Sequence, residues 1–221
     1  MIRSTLRPAA ILGVIVAGIA LGFVVISAPP AAADAASKID RTAFHDQMRK
    51  LWEDHIVWTR QFIVSAATLP EDLPDIGPTV DRLLANQADI GDAFRPFYGE
   101  AAGDAVTELL RAHILTAARL VAAAKAGDQA EVEAASATWY ANADEIATAL
   151  NDLNPRFWDL GHMEAMMREH LDRTLEEAVA RLEGRYADDI AAYEQVHADI
   201  LEMADMLSDG ITGQFPNRFR S

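Results

Sequence analysis

Apolar side chains recur at steps of three and four residues from Ile39 almost to the end of the chain. This spacing places them on one face of an α-helix, and the alanines between them are strong helix formers. No stretch has the strict alternation of a strand, so the pattern predicts an all-α protein. Breaks in the pattern divide it into six helices, over residues 39–68, 78–94, 100–126, 129–152, 159–183 and 187–209.

The breaks follow from local chemistry. The stretch "TLPEDLPDIGP" contains three prolines, each of which lacks a backbone donor and disfavours helix in the residue before it. Gly127 is a typical helix stop, and Asp128 with Glu131 three residues later has the spacing of a capping box.

The odd-numbered helices share a motif. His55 lies in "LWEDHIVWTR", His113 in "LLRAHILTAAR" and His170 in "MMREHLDRT", and each is followed by Ile or Leu. The three histidines are 58 and 57 residues apart. A fixed period of this length is typical of a copied supersecondary unit.

The even-numbered helices match as well. "NQADI", "NADEI" and "VHADI" each place an acid, Asp89, Glu145 or Asp199, directly before an isoleucine. The two matches together predict three antiparallel helical hairpins. We expect them to close into one six-helix bundle over residues 39–211, followed by a C-terminal tail at 212–221, because an open stack of three repeats exposes much apolar surface.

The N-terminal segment has the pattern of an export signal. Two arginines precede an apolar run from Ala9 to Ile26, and three consecutive alanines offer a cleavage site. The run is also near the shortest length that spans a bilayer, so residues 1–33 are expected to be a signal peptide or a membrane anchor, and 34–38 a linker. In both cases the bundle is exported, either secreted or periplasmic or anchored outside the cytoplasm, and only residues 1–33 contact membrane.

Charge narrows the class of partner. Without residues 1–33 the chain has 17 basic and 34 acidic residues and a formal charge of −17. Nucleic acids and anionic lipids carry the same sign, so they are excluded as partners. A metal ion or a small ligand is compatible with the charge, and no protein partner is specified. The absence of cysteine excludes disulfide and thiolate chemistry.

A closed bundle would turn equivalent positions of the three repeats toward one interior. Histidine and carboxylate side chains are ligands for transition metals such as Zn, Cu and Fe. We therefore expect a metal site drawn from four histidines and three acids: His55, His113, His170, His197, Asp89, Glu145 and Asp199. A di-iron site of the ferritin type is disfavoured, because it needs two Glu-x-x-His motifs and only "EQVH" fits.

Methionines give a second form of the metal hypothesis. They line one face of the fifth helix with His170 and recur on the sixth: Met163, Met166, Met167, Met203 and Met206. Thioethers are soft ligands that suit Cu(I). The same stripe is also what a helix facing a core needs, so the packing interpretation stays open.

The alternative function is a structural or interaction domain at the cell envelope, in which histidines and acids only pair internally. Arg60, Arg95 and Arg119 fit this alternative, because a buried arginine needs an acid, which Asp89 or Asp144 is expected to supply. The sequence contains no glycine-rich phosphate loop and no nucleophile elbow, so nothing in it supports an enzyme.

Five separated motifs carry a resemblance. "LWEDHIVWTR", "FRPFYG", "WYANADEIA", "MMREHLDRTLEEAVARL" and "ILEMADMLSDGITGQFP" occur in this order over about residues 44–219. Through these five motifs the chain resembles a group of uncharacterised bacterial all-helical proteins that have the same motifs in the same order. The resemblance implies a helical fold. It implies no activity, cofactor or catalytic residue.

Overall fold

The computed structural model describes residues 38–68 and 71–220. The predicted export segment at 1–33 and residues 34–37 of the predicted linker lie outside this part of the chain. Within it the protein is all-helical, as expected, with six α-helices: α1 (Arg41–Ala66), α2 (Ile76–Tyr98), α3 (Glu100–Ala126), α4 (Gln129–Leu153), α5 (Leu160–Leu182) and α6 (Tyr186–Gln214).

Aspartates begin three of these helices. Asp40, Asp128 and Asp159 each accept a hydrogen bond from the backbone N–H three residues later, at 3.0, 3.1 and 3.0 Å. Each bond satisfies one of the amide groups that an α-helix leaves free at its N-terminus. Gly127 ends α3 in the left-handed conformation, with φ of 69°, which is why glycine stands there.

The sixth helix is longer than the sequence predicts. It continues past residue 209 to Gln214, because the apolar face continues through the buried Leu207 and Ile211. Gly210 lies inside this helix, and glycine stands there because the ring of Trp158 packs directly against it. A Cβ at this position would lie 2.0 Å from Trp158 Nε1.

The two ends of the described chain meet. After α6 and a short 3₁₀ helix (Pro216–Arg218), the strand β2 (Phe219–Arg220) pairs in parallel with β1 (Ile39–Asp40). Phe219 is buried, and its ring packs against those of Phe44 and Phe97. The sequence does not predict this ladder, because two residues are too few to show an alternating pattern.

Each helix packs against its neighbour in the chain, and α6 also packs against α1, so the helices make a closed ring of contacts. Gly91 and Gly103 allow the close approach of α2 and α3, since a Cβ on Gly91 would lie 2.6 Å from the carbonyl oxygen of Gly103. No helix in the described part of the chain is long and apolar enough to cross a membrane.

Candidate functional site

Three histidines from alternate helices meet inside the bundle. His55 on α1, His113 on α3 and His170 on α5 are 3%, 3% and 4% exposed. The ring centre of His170 lies 5.9 Å from that of His55 and 6.3 Å from that of His113. We call these three residues the histidine cluster. They are the histidines of the three matching sequence motifs, and they come from three separate helices into one buried layer.

Two asparagines hold the helices around the cluster in the same way. Asn86 on α2 donates through Nδ2 to the carbonyl oxygen of Leu51 at 3.0 Å, and Asn142 on α4 donates to that of Leu109 at 3.2 Å. Both acceptors lie four residues before a histidine of the cluster. At the third equivalent position stands Val196, which can make no such bond.

Asn142 also sets the proton position on His113. Its Oδ1 lies 3.0 Å from His113 Nδ1. Because the amide nitrogen of Asn142 donates to a carbonyl, Oδ1 is the acceptor, so His113 carries its proton on Nδ1. The lone pair on Nε2 is then available to a ligand. Metal-binding histidines are commonly oriented in this way by a hydrogen bond to the other ring nitrogen.

Several buried polar atoms at this level have no hydrogen-bond partner among the described residues. They are His55 Nδ1, His170 Nδ1, Gln87 Oε1, Trp52 Nε1 and Trp139 Nε1. Val196 explains the orphaned atom of His170, because valine replaces the asparagine that serves His113. Each unmatched group costs about 1–3 kcal/mol, and such groups are the ones that water or a bound ligand satisfies.

Burial keeps all three imidazoles neutral. Desolvation lowers the pKa of His55 to about 4, and the neighbouring side chain of Gln87 acts in the opposite direction. It lowers the pKa of His113 to about 3 and that of His170 well below its usual value, with a further contribution from the neighbouring rings. Neutral imidazole is the form that binds metal ions, so no proton has to leave first.

The remaining predicted ligands do not join the cluster. His197 pairs through Nε2 with Glu53 at 2.9 Å on the surface, and Glu145 is exposed. Asp89 pairs with Arg82 at 3.3 Å, and Asp199 with Arg173 at 2.7 Å. These acids were expected to face the interior beside the histidines, but in the structure they do not reach the histidine cluster. The isoleucine beside each acid is buried, and the next position on a helix is turned about 100° away from it.

A buried ion-pair network lies beyond the cluster. Arg60 binds Glu177 at 2.8 Å and also binds Asp189, and both carboxylates are almost fully buried. Burial raises the pKa of Glu177 to about 7, although Arg60 acts in the opposite direction. The expected partners, Asp89 and Asp144, are bound to other arginines on the surface, so that expectation was wrong.

Sequence reasoning missed Glu177 and Asp189. For Glu177 a signal existed, because it follows His170 by seven residues and so lies on the same buried face of α5. Arg95 and Arg119, by contrast, pair with exposed acids near the ends of their helices.

A small apolar cavity of about 30 Å³ lies about one helical turn from the histidine cluster, and none of the three histidines lines it. Thr59 and Thr174 line it, four residues after His55 and His170, together with Trp139. Both threonine hydroxyls donate to the carbonyl oxygens of those histidines, at 2.8 and 2.7 Å. The space suffices for one or two water-sized groups.

Comparisons with protein-family models, with curated proteins and with solved structures find no match to this chain. In residues 38–68 and 71–220, no group of three or more histidine or acidic side chains is placed so that it could hold a metal ion. The histidine cluster is therefore described by its own geometry, with no function carried over from a relative.

Proposed function

We propose that the protein is a non-catalytic binding protein whose histidine cluster holds one transition-metal ion. The observation that carries this proposal is the meeting of three neutral, buried imidazoles, two of which have an Nδ1 atom without a partner in the described chain. A polar layer of this kind is costly in an apolar core unless something binds it. The acids predicted as further ligands have no part in the proposal.

The ring separations support it. Two imidazoles that share an ion have ring centres about 5.2–5.5 Å apart, given metal–nitrogen bonds of about 2.0–2.1 Å. The observed distances are 5.9 and 6.3 Å. Each of these two pairs would have to close by about 1 Å or less to reach the separation that a shared ion requires.

We further infer that the bundle consists of three antiparallel hairpins of one ancestral unit, α1–α2, α3–α4 and α5–α6. The equivalent bonds of Asn86 and Asn142 support this, as do the equivalent places of the three histidines. Export remains part of the proposal and depends on residues 1–33.

The second candidate is a structural or interaction domain at the cell envelope. It is favoured by the internal pairing of His197, Asp89 and Asp199 with neighbouring side chains. In that case the histidine cluster is only a polar layer of the core, and no ion stabilises the protein.

Elemental analysis of the purified full-length protein, with thermal melts in Zn(II), Fe(II), Cu(I) or chelator, separates the two candidates. An ion that binds only the folded state adds about 2.7 kcal/mol of stability at 100 times its dissociation constant. We expect such a stabilisation in the wild type, and its loss in His170→Leu. The matched control is His197→Leu, at a surface histidine, which should keep it.

If none of these metals stabilises the protein, the proposal is overturned in favour of the structural candidate. Stabilisation that survives His170→Leu and disappears in His197→Leu would place the ion on the surface, and it would overturn the proposal equally.

A further inference from the structure

The apolar cavity of about 30 Å³ lies between the three odd-numbered helices, toward their C-terminal ends. Side chains of α1, α3 and α5 line it, among them Ile63, Leu120 and Ala178, and Trp139 of α4 lines it as well. No residue of the histidine cluster belongs to its wall. The cavity is therefore separate from the proposed metal site.

Small side chains create this cavity. The odd-numbered helices pack chiefly against the even-numbered helices beside them and touch one another little. Where they face one another at this level, α3 presents Ala117 and Ala124, and α5 presents Ala178. Because the axes of packed helices lie about 8–10 Å apart, alanine side chains are too short to fill the space between them. The cavity is therefore built into the sequence of these helices.

The wall of the cavity consists almost entirely of carbon atoms. The hydroxyls of Thr59 and Thr174 donate to the carbonyl oxygens of His55 and His170 at 2.8 and 2.7 Å, so they are already bonded within their own helices. A buried water molecule needs about two to four hydrogen-bond partners, which a wall of carbon does not offer. The cavity therefore favours an apolar occupant over water.

Size limits this occupant. Benzene binds in an apolar cavity of about 150 Å³, whereas the space here suffices for one or two water-sized groups. A molecule of about two or three heavy atoms fits such a space. Ala124, Val179 and Leu182 of the wall are half-buried and lie near the ends of α3 and α5, so the cavity is nearest to solvent at this end.

We propose that the cavity binds one small apolar molecule of the size of dioxygen. Dispersion contacts with the wall hold this molecule, because wall atoms that border a cavity otherwise lack contacts on one side. A charged or strongly polar molecule is excluded, since it would lose its hydrogen bonds to water on entering. The binding is non-covalent, so no bond forms or breaks and no electron is transferred.

Crystals of the full-length protein pressurised with xenon test the site, because xenon is an apolar atom that anomalous diffraction locates directly. We expect one xenon peak in contact with Ile63, Leu120 and Ala178. In solution, paramagnetic dioxygen should speed the relaxation of the methyl signals of Ile63 and Leu120 more than that of Ile200. Ile200 is similarly buried but lies outside the cavity.

Filling the cavity tests its position. Ala117→Val adds methyl groups to the wall and should abolish both the xenon peak and the selective effect of dioxygen. Ala178→Val adds the same groups from α5 and should have the same effect. Ala122→Val is the matched control on α3, since Ala122 is exposed and lies outside the cavity, and it should bind xenon like the wild type. Circular dichroism checks that each variant is folded.

Four results would overturn the proposal: no xenon peak in the cavity, an ordered water molecule in its place, a peak that both filled variants retain, or a peak that the control variant also loses. If benzene enters the wild-type cavity as readily as xenon, the proposed size of the ligand is wrong. These results are independent of the thermal melts with metal ions, because no residue of the histidine cluster lines the cavity.

Discussion

The burial of the histidine cluster predicts a specific loss of stability in acid. In the unfolded chain a histidine has a pKa of about 6.5 and takes up a proton as the pH falls below that value. In the folded protein His55 and His113 have pKa values of about 4 and 3, and the pKa of His170 is also strongly lowered. At pH values between the folded and the unfolded pKa, the unfolded state binds more protons than the folded state, so the free energy of unfolding decreases as the pH falls.

The magnitude follows from the same linkage. A pKa difference contributes about 1.4 kcal/mol per pH unit, so at about pH 5 each buried histidine lowers the free energy of unfolding by about 2 kcal/mol relative to pH 8. The three together lower it by about 6 kcal/mol. This is a large part of the stability of an ordinary domain.

One group opposes this effect. Glu177 has a pKa raised to about 7 by burial, so it favours the folded state as the pH falls from about 7 toward its unfolded value. The comparison of a variant with the wild type removes this contribution, because Glu177 is present in both.

The perturbation is therefore His170→Leu, assayed by urea unfolding under far-UV circular dichroism from about pH 8 to pH 5. The decrease in unfolding free energy over this range should be smaller in the variant than in the wild type, by up to about 2 kcal/mol. His162→Leu, at an exposed histidine, should follow the wild-type curve. If the curve of His170→Leu runs parallel to that of the wild type, His170 is not a buried neutral group and the reasoning fails.

Three further predictions concern packing, charge and orientation. Gly91→Ala should lower the free energy of unfolding by about 1–3 kcal/mol, because its Cβ would meet α3. Gly77→Ala, in open space on the same helix, should be neutral or stabilise the protein by up to about 1 kcal/mol. Equal effects of the two variants in urea unfolding would contradict the close packing of α2 on α3. Arg60→Met should cost about 3–5 kcal/mol, since the buried Glu177 loses its partner and Asp189 keeps only its 3.4 Å pair with Arg181. Arg119→Met, at a surface pair, should have a much smaller effect in the same assay. Asn142→Ala should cost about 1–3 kcal/mol and weaken binding of the stabilising metal ion about 10–100-fold, because the ring of His113 loses the bond that orients it. An unchanged affinity would show that this bond does not orient the ligand.

The helices were predictable because their signals are local. Apolar spacing, proline and capping aspartates placed six helices, and the bounds of α3 agree with the prediction at both ends. The sequence predicted the sixth helix to end at residue 209, whereas α6 continues to Gln214, because the packing of Gly210 against the ring of Trp158 is not visible in a local pattern. The β1–β2 ladder depends on two chain ends that meet only in the folded protein.

The site was predictable only in part. The shared position of His55, His113 and His170 in the repeat indicated that the three rings face one interior. The acids of the even-numbered helices carried an equally regular pattern, yet Asp89 and Glu145 are exposed and Asp199 lies half-buried away from the histidine cluster. A repeat shows that positions are equivalent and does not show which way they face. The partners of Arg60 lie 117 and 129 residues away, which no local pattern can specify.

The central claim is that three repeat-equivalent histidines share one metal ion. Anomalous diffraction from crystals of the protein grown with the transition-metal ion that stabilises it in the thermal melts tests it most directly. The account predicts one strong metal peak inside the bundle, about 2 Å from a ring nitrogen of each of His55, His113 and His170. A map with no peak there, or with metal only at surface groups such as His197 and Glu53, would contradict it.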